Sequence, residues 1–447
     1  MLKNTVLVCS LSFLALGVHG DSQEQVFRNV LNCHSSPENP GLSVRLEQQG
    51  KLIFTGAAGV SNLETGKPLS REDVFQIGSV TKQFTAAAIL MLQEQGKLSV
   101  KDNVKKHLPA FAHNNITIEQ LLSHTSGLAD YFTEADVTDH WHQYTDIDQI
   151  IEKISAIEIN AAPGEQYQYS NVGYLYLGKI IESVSGESYA GFLQKHIFTP
   201  LEMHSSFVMT QGDSLKQVVG YTQNRGQKDH FTQPFKVDRS WMYAAGAIAS
   251  TVANMGKWQQ ALMTGKVISP NSYKLMTTKA ALANGEEVDY GFGINISPIA
   301  GQPSFHHEGQ VPGFMAWSVY LPKSDLYAVA LSNNDAAHPG PALLDMMAIQ
   351  LGLSPQPVSA EQASSVASNL LGKYRFEDGK TLELFEAQGK WFGKTDNQAP
   401  RELVLRENNA FSYACSENYF ELRHSERGIQ LVPMHLYFGE GKSANRL

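Results

Sequence analysis

Long apolar runs, basic blocks, internal repeats and compositionally biased tracts are all missing from this chain. Past residue 20 no stretch approaches the roughly 20 apolar residues that a membrane helix needs, so no span is expected in the mature protein. A formal net charge of −9 without clustered Lys or Arg makes the chain a poor candidate for nucleic acid or anionic lipid. The lack of repeats and of low-complexity segments argues against solenoids and disorder. Cysteine is scarce too, with three residues at positions 9, 33 and 415.

What is present is an ordinary globular composition, 42% hydrophobic and 18% charged, in a chain of 447 residues. That exceeds the about 250–300 residues at which a single core stops growing, so two domains are expected. Lys3 followed by an apolar run from Val6 to Val18 and then Val18-His19-Gly20 reads as a cleaved export signal over residues 1–20. Its removal takes Lys3 and no acid, moving the formal charge from −9 to −10. Cys9 goes with it, leaving Cys33 and Cys415 in a periplasmic or extracellular setting that permits a disulfide. A bridge and two free thiols both stay open, because sequence supplies no Cα distance.

Leu42–Leu46 and Leu52–Thr55 around Gln49-Gly50 predict a hairpin, and Met315–Leu321 with Leu326–Leu331 predict a second. Val80–Gln95 holds no Gly or Pro and is apolar nearly all round, which predicts a buried helix ending at Gly96. Asn171–Val184 and Val252–Met263 are also helical in pattern. Strand-rich ends around a helical middle predict an α/β (α+β) domain over 21–353, with an antiparallel sheet built from both ends. A polar stretch at 354–368 reads as a linker. Seven short alternating runs between Lys373 and Val432 predict a small antiparallel β-barrel or sandwich over 369–447.

Ser79 and Lys82 stand three residues apart where the buried helix begins, on one helix face, so the lysine ammonium lies beside the serine hydroxyl. The Ser79 N–H belongs to the first-turn donors left unpaired, aimed where an oxyanion could form. Tyr169-Ser170-Asn171 supplies a phenol that the ammonium could stabilise as phenolate, and an amide able to accept from Lys82 and donate to substrate. His307-Glu308-Gly309-Gln310 reads as a strand. There the glycine admits a substrate backbone and the histidine is placed to bond substrate or the Tyr169 hydroxyl. His140 and His142 lack a partner set for zinc, and no cofactor or metal is called for.

The ordered set Ser79-x-x-Lys82, Tyr169-x-Asn171 and His307-x-Gly309 resembles the three motifs of the class C β-lactamase and penicillin-binding-protein superfamily of serine hydrolases. The resemblance runs from about Gly41 to Leu353 and includes His124-Thr125-Ser126-Gly127-Leu128 and Tyr290-Gly291-Phe292-Gly293. It implies a β-lactamase/transpeptidase-like fold and an acyl-enzyme on Ser79, with Tyr169 and Lys82 sharing the acid–base work and Asn171 orienting Lys82 and substrate. The oxyanion would sit on the N–H groups of Ser79 and Gln310. The C-terminal unit resembles the lipocalin-like domains appended to some members.

Class C β-lactamases usually carry Lys-Thr-Gly where this chain has His307-Glu308-Gly309, and no Lys or Arg lies between Ala280 and Leu321 to replace that charge. The expectation is therefore a peptidase or esterase for small amides or esters, of the D-amino-acid peptidase, DD-carboxypeptidase or esterase type. Glu308 there would favour a substrate amine. A β-lactamase or penicillin-binding protein is the enzymatic alternative, and a catalytically silent sensor of the same fold the non-enzymatic one.

Overall fold

The computed structural model describes residues 18–131, 139–210, 217–223, 230–355, 357–425, 428–435 and 439–446. Most of the expected export signal, and Cys9, lie outside them. The chain opens with helix α1 (Val18–His34), then strands β1 (Leu42–Gln48) and β2 (Lys51–Ala58) form the first hairpin. Helix α2 (Thr81–Glu94) follows a single 3-10 turn at Gly78–Val80 and is buried along almost its whole length, as its apolar circumference requires. Helix α3 (Asn171–Ser185) packs beside it. Strands β3 (Asn295–Ile299), β4 (Gln302–Val311), β5 (Phe314–Leu321) and β6 (Leu326–Ser332) follow, and helix α4 (Gly340–Leu351) closes the unit.

The six strands make one antiparallel sheet in the order β3-β4-β5-β6-β1-β2, so both ends of the domain meet at β6–β1. Alternation along the strands divides two cores. Val311, Phe314, Ala316 and Leu331 face the helical layer that contains α2 and α3. Trp317, Val319, Ala328 and Val44 face the opposite layer, where Phe27 and Leu31 of α1 meet Leu343 and Met346 of α4. Strand β6 is buried at every position, the mark of a strand covered on both sides.

Helix α5 (Ala360–Leu370) occupies the stretch read as a linker, and Ala367 and Leu370 on it pack into the core of the C-terminal unit. Beyond it eight strands close into an antiparallel barrel. The run from Gly372–Phe376 to Gly428–His435 forms seven of its strands, and Ala444–Arg446 seals it by pairing with the first and the seventh. The sealing strand has three residues, too few for an alternating pattern to stand out in sequence.

Cys33 of α1 is bonded to Cys415 of the barrel with Cα atoms 5.4 Å apart, which settles their pairing across 382 residues. Polar contacts surround the bridge. The buried Asp345 of α4 pairs with His34 Nε2 at 2.8 Å and accepts from the Glu417 N–H at 2.7 Å. Arg406, 3% exposed, donates to the Pro355 carbonyl at 2.8 Å and to Glu417 Oε1 at 2.7 Å. The barrel is thus stapled behind the sheet, on the α1/α4 side.

Candidate active site

Two glycines bring the sheet against the turn that carries Ser79. Gly78 holds φ +50°, and a side-chain carbon on it would lie 2.7 Å from the Gln310 nitrogen. One on Gly309 would lie 1.9 Å from the Ile77 carbonyl oxygen and 3.0 Å from the Ser79 nitrogen. The space left by Gly309 is therefore taken by the protein's own backbone, not by a substrate strand. The result is that the backbone N–H groups of Ser79 and Gln310 come from segments in van der Waals contact.

Lys82 is fully buried, and its Nζ contacts Ser79 Oγ at 3.1 Å, Asn171 Oδ1 at 2.7 Å and the Ala245 carbonyl at 3.0 Å. Burial lowers its pKa to about 7, against a smaller opposing pull from Asp130. Two of the three contacts are carbonyl oxygens, which can only accept. A neutral Lys82 amine has two N–H bonds, both consumed there, and its lone pair is left for the Ser79 hydroxyl. Tyr169 stands partly buried beside them, with the Lys82 ammonium site 4.8 Å from its ring centre. Burial pushes the Tyr169 hydroxyl well above its ordinary value, while its bond to Ser79 pulls the other way. The phenol therefore stays protonated at neutral pH, contrary to the stabilised phenolate expected from the ammonium alone.

Asp130, absent from the sequence reading, completes the charge balance. Its Oδ2 accepts from Asn171 Nδ2 at 2.8 Å and from the Asn171 N–H at 3.2 Å. Asn171 thus spans Lys82 and Asp130 and keeps one amide N–H for the cavity. Burial raises the Asp130 carboxyl. No local pattern marks it: the residue follows a turn and becomes meaningful only once α3 is packed against it.

His307 is buried, and both its ring nitrogens are occupied. Nδ1 donates to the Glu308 carbonyl at 2.6 Å, so Nε2 is the acceptor for the Tyr290 hydroxyl at 2.8 Å. Burial brings its pKa down to about 3, aided by Lys82. It is a neutral, fixed ring with no nitrogen left for substrate or for the Tyr169 hydroxyl. Tyr290 was named in the sequence only as part of a Tyr-Gly-Phe-Gly run, with no role attached. His124, 1% exposed, packs its ring 4.2 Å from that of Tyr169 and accepts from the Ser170 N–H at 3.1 Å, so it sets where Tyr169 stands.

These groups open onto a cavity of about 710 Å³ lined by Ser79, Tyr169, Asn171, His307, Gly309 and Gln310, every residue singled out in sequence except the buried Lys82. Trp141, the 65% exposed Phe235 and Met242 give it an apolar wall, and Glu308 and Asp335 give it carboxylates. Among the described residues that line it there is no Lys or Arg. Among the described residues no cluster of His, Cys, Asp or Glu could hold a metal ion, and no helix is long and apolar enough to cross a membrane.

A family model described as Beta-lactamase matches residues 27–351. The chain is 27% identical over 393 residues to Penicillin-binding protein 4* of Bacillus subtilis (strain 168), covering 83% of this chain and 87% of that protein. It is 27% identical over 368 residues to Protein flp of Staphylococcus aureus (strain N315), covering 79% and 70%. Among solved structures, an octameric penicillin-binding protein homologue from Pyrococcus abyssi superposes with TM-score 0.64 at 22% identity, covering 95% of this chain and 99% of that one. A D-amino acid amidase from Ochrobactrum anthropi SV3 superposes with TM-score 0.61 at 22% identity, covering 70% and 91%. The Pyrococcus likeness extends over both units of the fold.

Proposed function

Because the chain belongs to the Beta-lactamase family, whose match spans residues 27–351, we propose that it is an exported serine hydrolase cleaving small amides or esters through an acyl-enzyme on Ser79. The observation that carries this reading is the Lys82 contact set: an amine of pKa about 7 whose two other partners are carbonyl oxygens, bonded to the Ser79 hydroxyl.

In the first half-reaction Lys82 Nζ takes the Ser79 proton as Oγ bonds to the substrate carbonyl carbon. The oxyanion accepts from the Ser79 and Gln310 N–H groups. The intermediate collapses to the Ser79 ester, and the leaving amine or alcohol receives a proton from the Tyr169 hydroxyl, which Lys82 replenishes. In the second half-reaction water gives a proton to Lys82 and attacks the ester, and Ser79 leaves with a proton returned by the same pair. Asn171 holds Lys82 in line and offers its remaining N–H to the substrate.

Two features weigh against β-lactams and other anionic substrates. No cation among the described residues lines the cavity, and Glu308 occupies the position where Lys-Thr-Gly enzymes have a neutral hydroxyl. The D-amino acid amidase likeness fits small amides. The Cys33–Cys415 bridge supports an oxidising, extracytoplasmic location. A panel of p-nitrophenyl esters, D-aminoacyl amides, D-Ala-D-Ala peptides and nitrocefin tests the reading. Ester or amide turnover with an acyl burst is expected, and nitrocefin turnover exceeding both would reverse the ranking.

A further inference from the structure

We infer that the cavity carries an ammonium subsite, built by Glu308 with Asp335 and His306, which selects substrates bearing an amine a few bonds from the scissile carbonyl. The inference rests on the acyl-enzyme reading and names its substrate class. Glu308 precedes Gln310, the proposed oxyanion donor, by two residues on β4, or about 7 Å along a strand. A glutamate side chain spans that distance to an amine near the carbonyl. Its carboxylate is half exposed to the cavity, pairs with His338 Nε2 through Oε1 at 3.4 Å, and has no partner on its other oxygen among the described residues.

Asp335 lines the same cavity with a fixed carboxylate: Oδ2 accepts from Thr222 Oγ1 and from the Gly313 N–H, each at 2.7 Å, which leaves Oδ1. The independent sign of a ligand is His306. It is 5% exposed, lines the cavity, and bonds Ser297 Oγ through Nε2 at 2.9 Å, while its buried Nδ1 has no partner. In the tautomer that an ammonium at Nδ1 selects, Nε2–H donates to the Ser297 hydroxyl and the Nδ1 lone pair is an acceptor two residues from Glu308. Burial holds the His306 ring neutral, with a pKa of about 4, so it adds no opposing charge. Two carboxylates, a spare acceptor and no facing Lys or Arg among the described residues attract an ammonium, and repel a carboxylate placed there.

The test compares three p-nitroanilides that differ in one group: phenylalanine, in both enantiomers, its des-amino analogue 3-phenylpropionyl, and the 2-benzylmalonyl analogue with a carboxylate at that carbon. The expected order in kcat/KM at pH 7 is amine, then hydrogen, then carboxylate. The better amine enantiomer should lead the des-amino compound by about tenfold, a lead that shrinks in 0.5 M NaCl and collapses toward parity in Glu308→Gln. Equal or reversed order in the wild type overturns the inference, yet leaves the acyl-enzyme reading intact because the anilides would still be cleaved. If Glu308→Gln does not fold, wild-type protection decides. Phenylalaninol should shield Ser79 from a fluorophosphonate probe better than 3-phenylpropanol, and equal shielding overturns the subsite. Failure of the probe to label Ser79 at all counts against the acyl-enzyme reading instead.

Discussion

Gly309 lies so close to the Ile77 carbonyl that a single added carbon would sit 1.9 Å from that oxygen. This contact, strand against turn, holds Gln310 beside Ser79. Gly309→Ala must push the two segments apart, because the atom in the way is backbone. The expected outcome is a folded protein with kcat reduced at least about 100-fold, the scale of losing one oxyanion donor. Near-normal kcat would show that the two N–H groups do not act together.

Burial strips water from the Lys82 amine and brings its pKa down to about 7. The base is the deprotonated amine, so acylation is switched off below that pKa and on above it. The kcat/KM profile for a neutral ester should rise with pH through about 7 and then level. The Tyr169 hydroxyl, raised by burial, contributes no ionisation in that range. A rate that is flat from pH 5 to 8 would remove Lys82 from the base role, and Lys82→Met should abolish turnover.

Tyr290→Phe leaves His307 Nε2 buried without its donor. The cost is about 1–3 kcal/mol of stability, with a fall in kcat as the ring loses one of the two bonds that hold it in place. Denaturant melts and steady-state kinetics on the one variant separate the two effects.

Cys33→Ser removes the covalent tie between α1 and the barrel, leaving Asp345 and Arg406 as its polar clamps. A loss of about 2–5 kcal/mol is expected on unfolding. Kinetics should change little, because the staple lies on the α1/α4 side of the sheet while Ser79 lies among the α2/α3 helices. A matching loss of kcat/KM would mean that barrel and site are coupled.

The hairpins, the buried helix α2 and the barrel strands were legible because each is a local pattern: alternation, an apolar circumference, a turn residue. The three motifs were legible for the same reason, since Ser79 and Lys82 meet within one helical turn. Asp130, Tyr290 and His124 were not assigned roles because their partners are distant in sequence: Asp130 to Asn171 spans 41 residues and Tyr290 to His307 spans 17. The occupied nitrogens of His307, and the use of Gly309 by the chain's own backbone, likewise depend on tertiary packing. Cys33 and Cys415 show the extreme case, a contact 382 residues apart that no pattern announces.

The central claim is that Ser79 is the nucleophile. The most direct measurement is the intact and peptide mass of the folded protein after exposure to a fluorophosphonate. One adduct on the peptide that contains Ser79, lost in Ser79→Ala and slowed in Lys82→Met, is the predicted result. A folded wild type that takes no label, or a label that persists in Ser79→Ala, would contradict it.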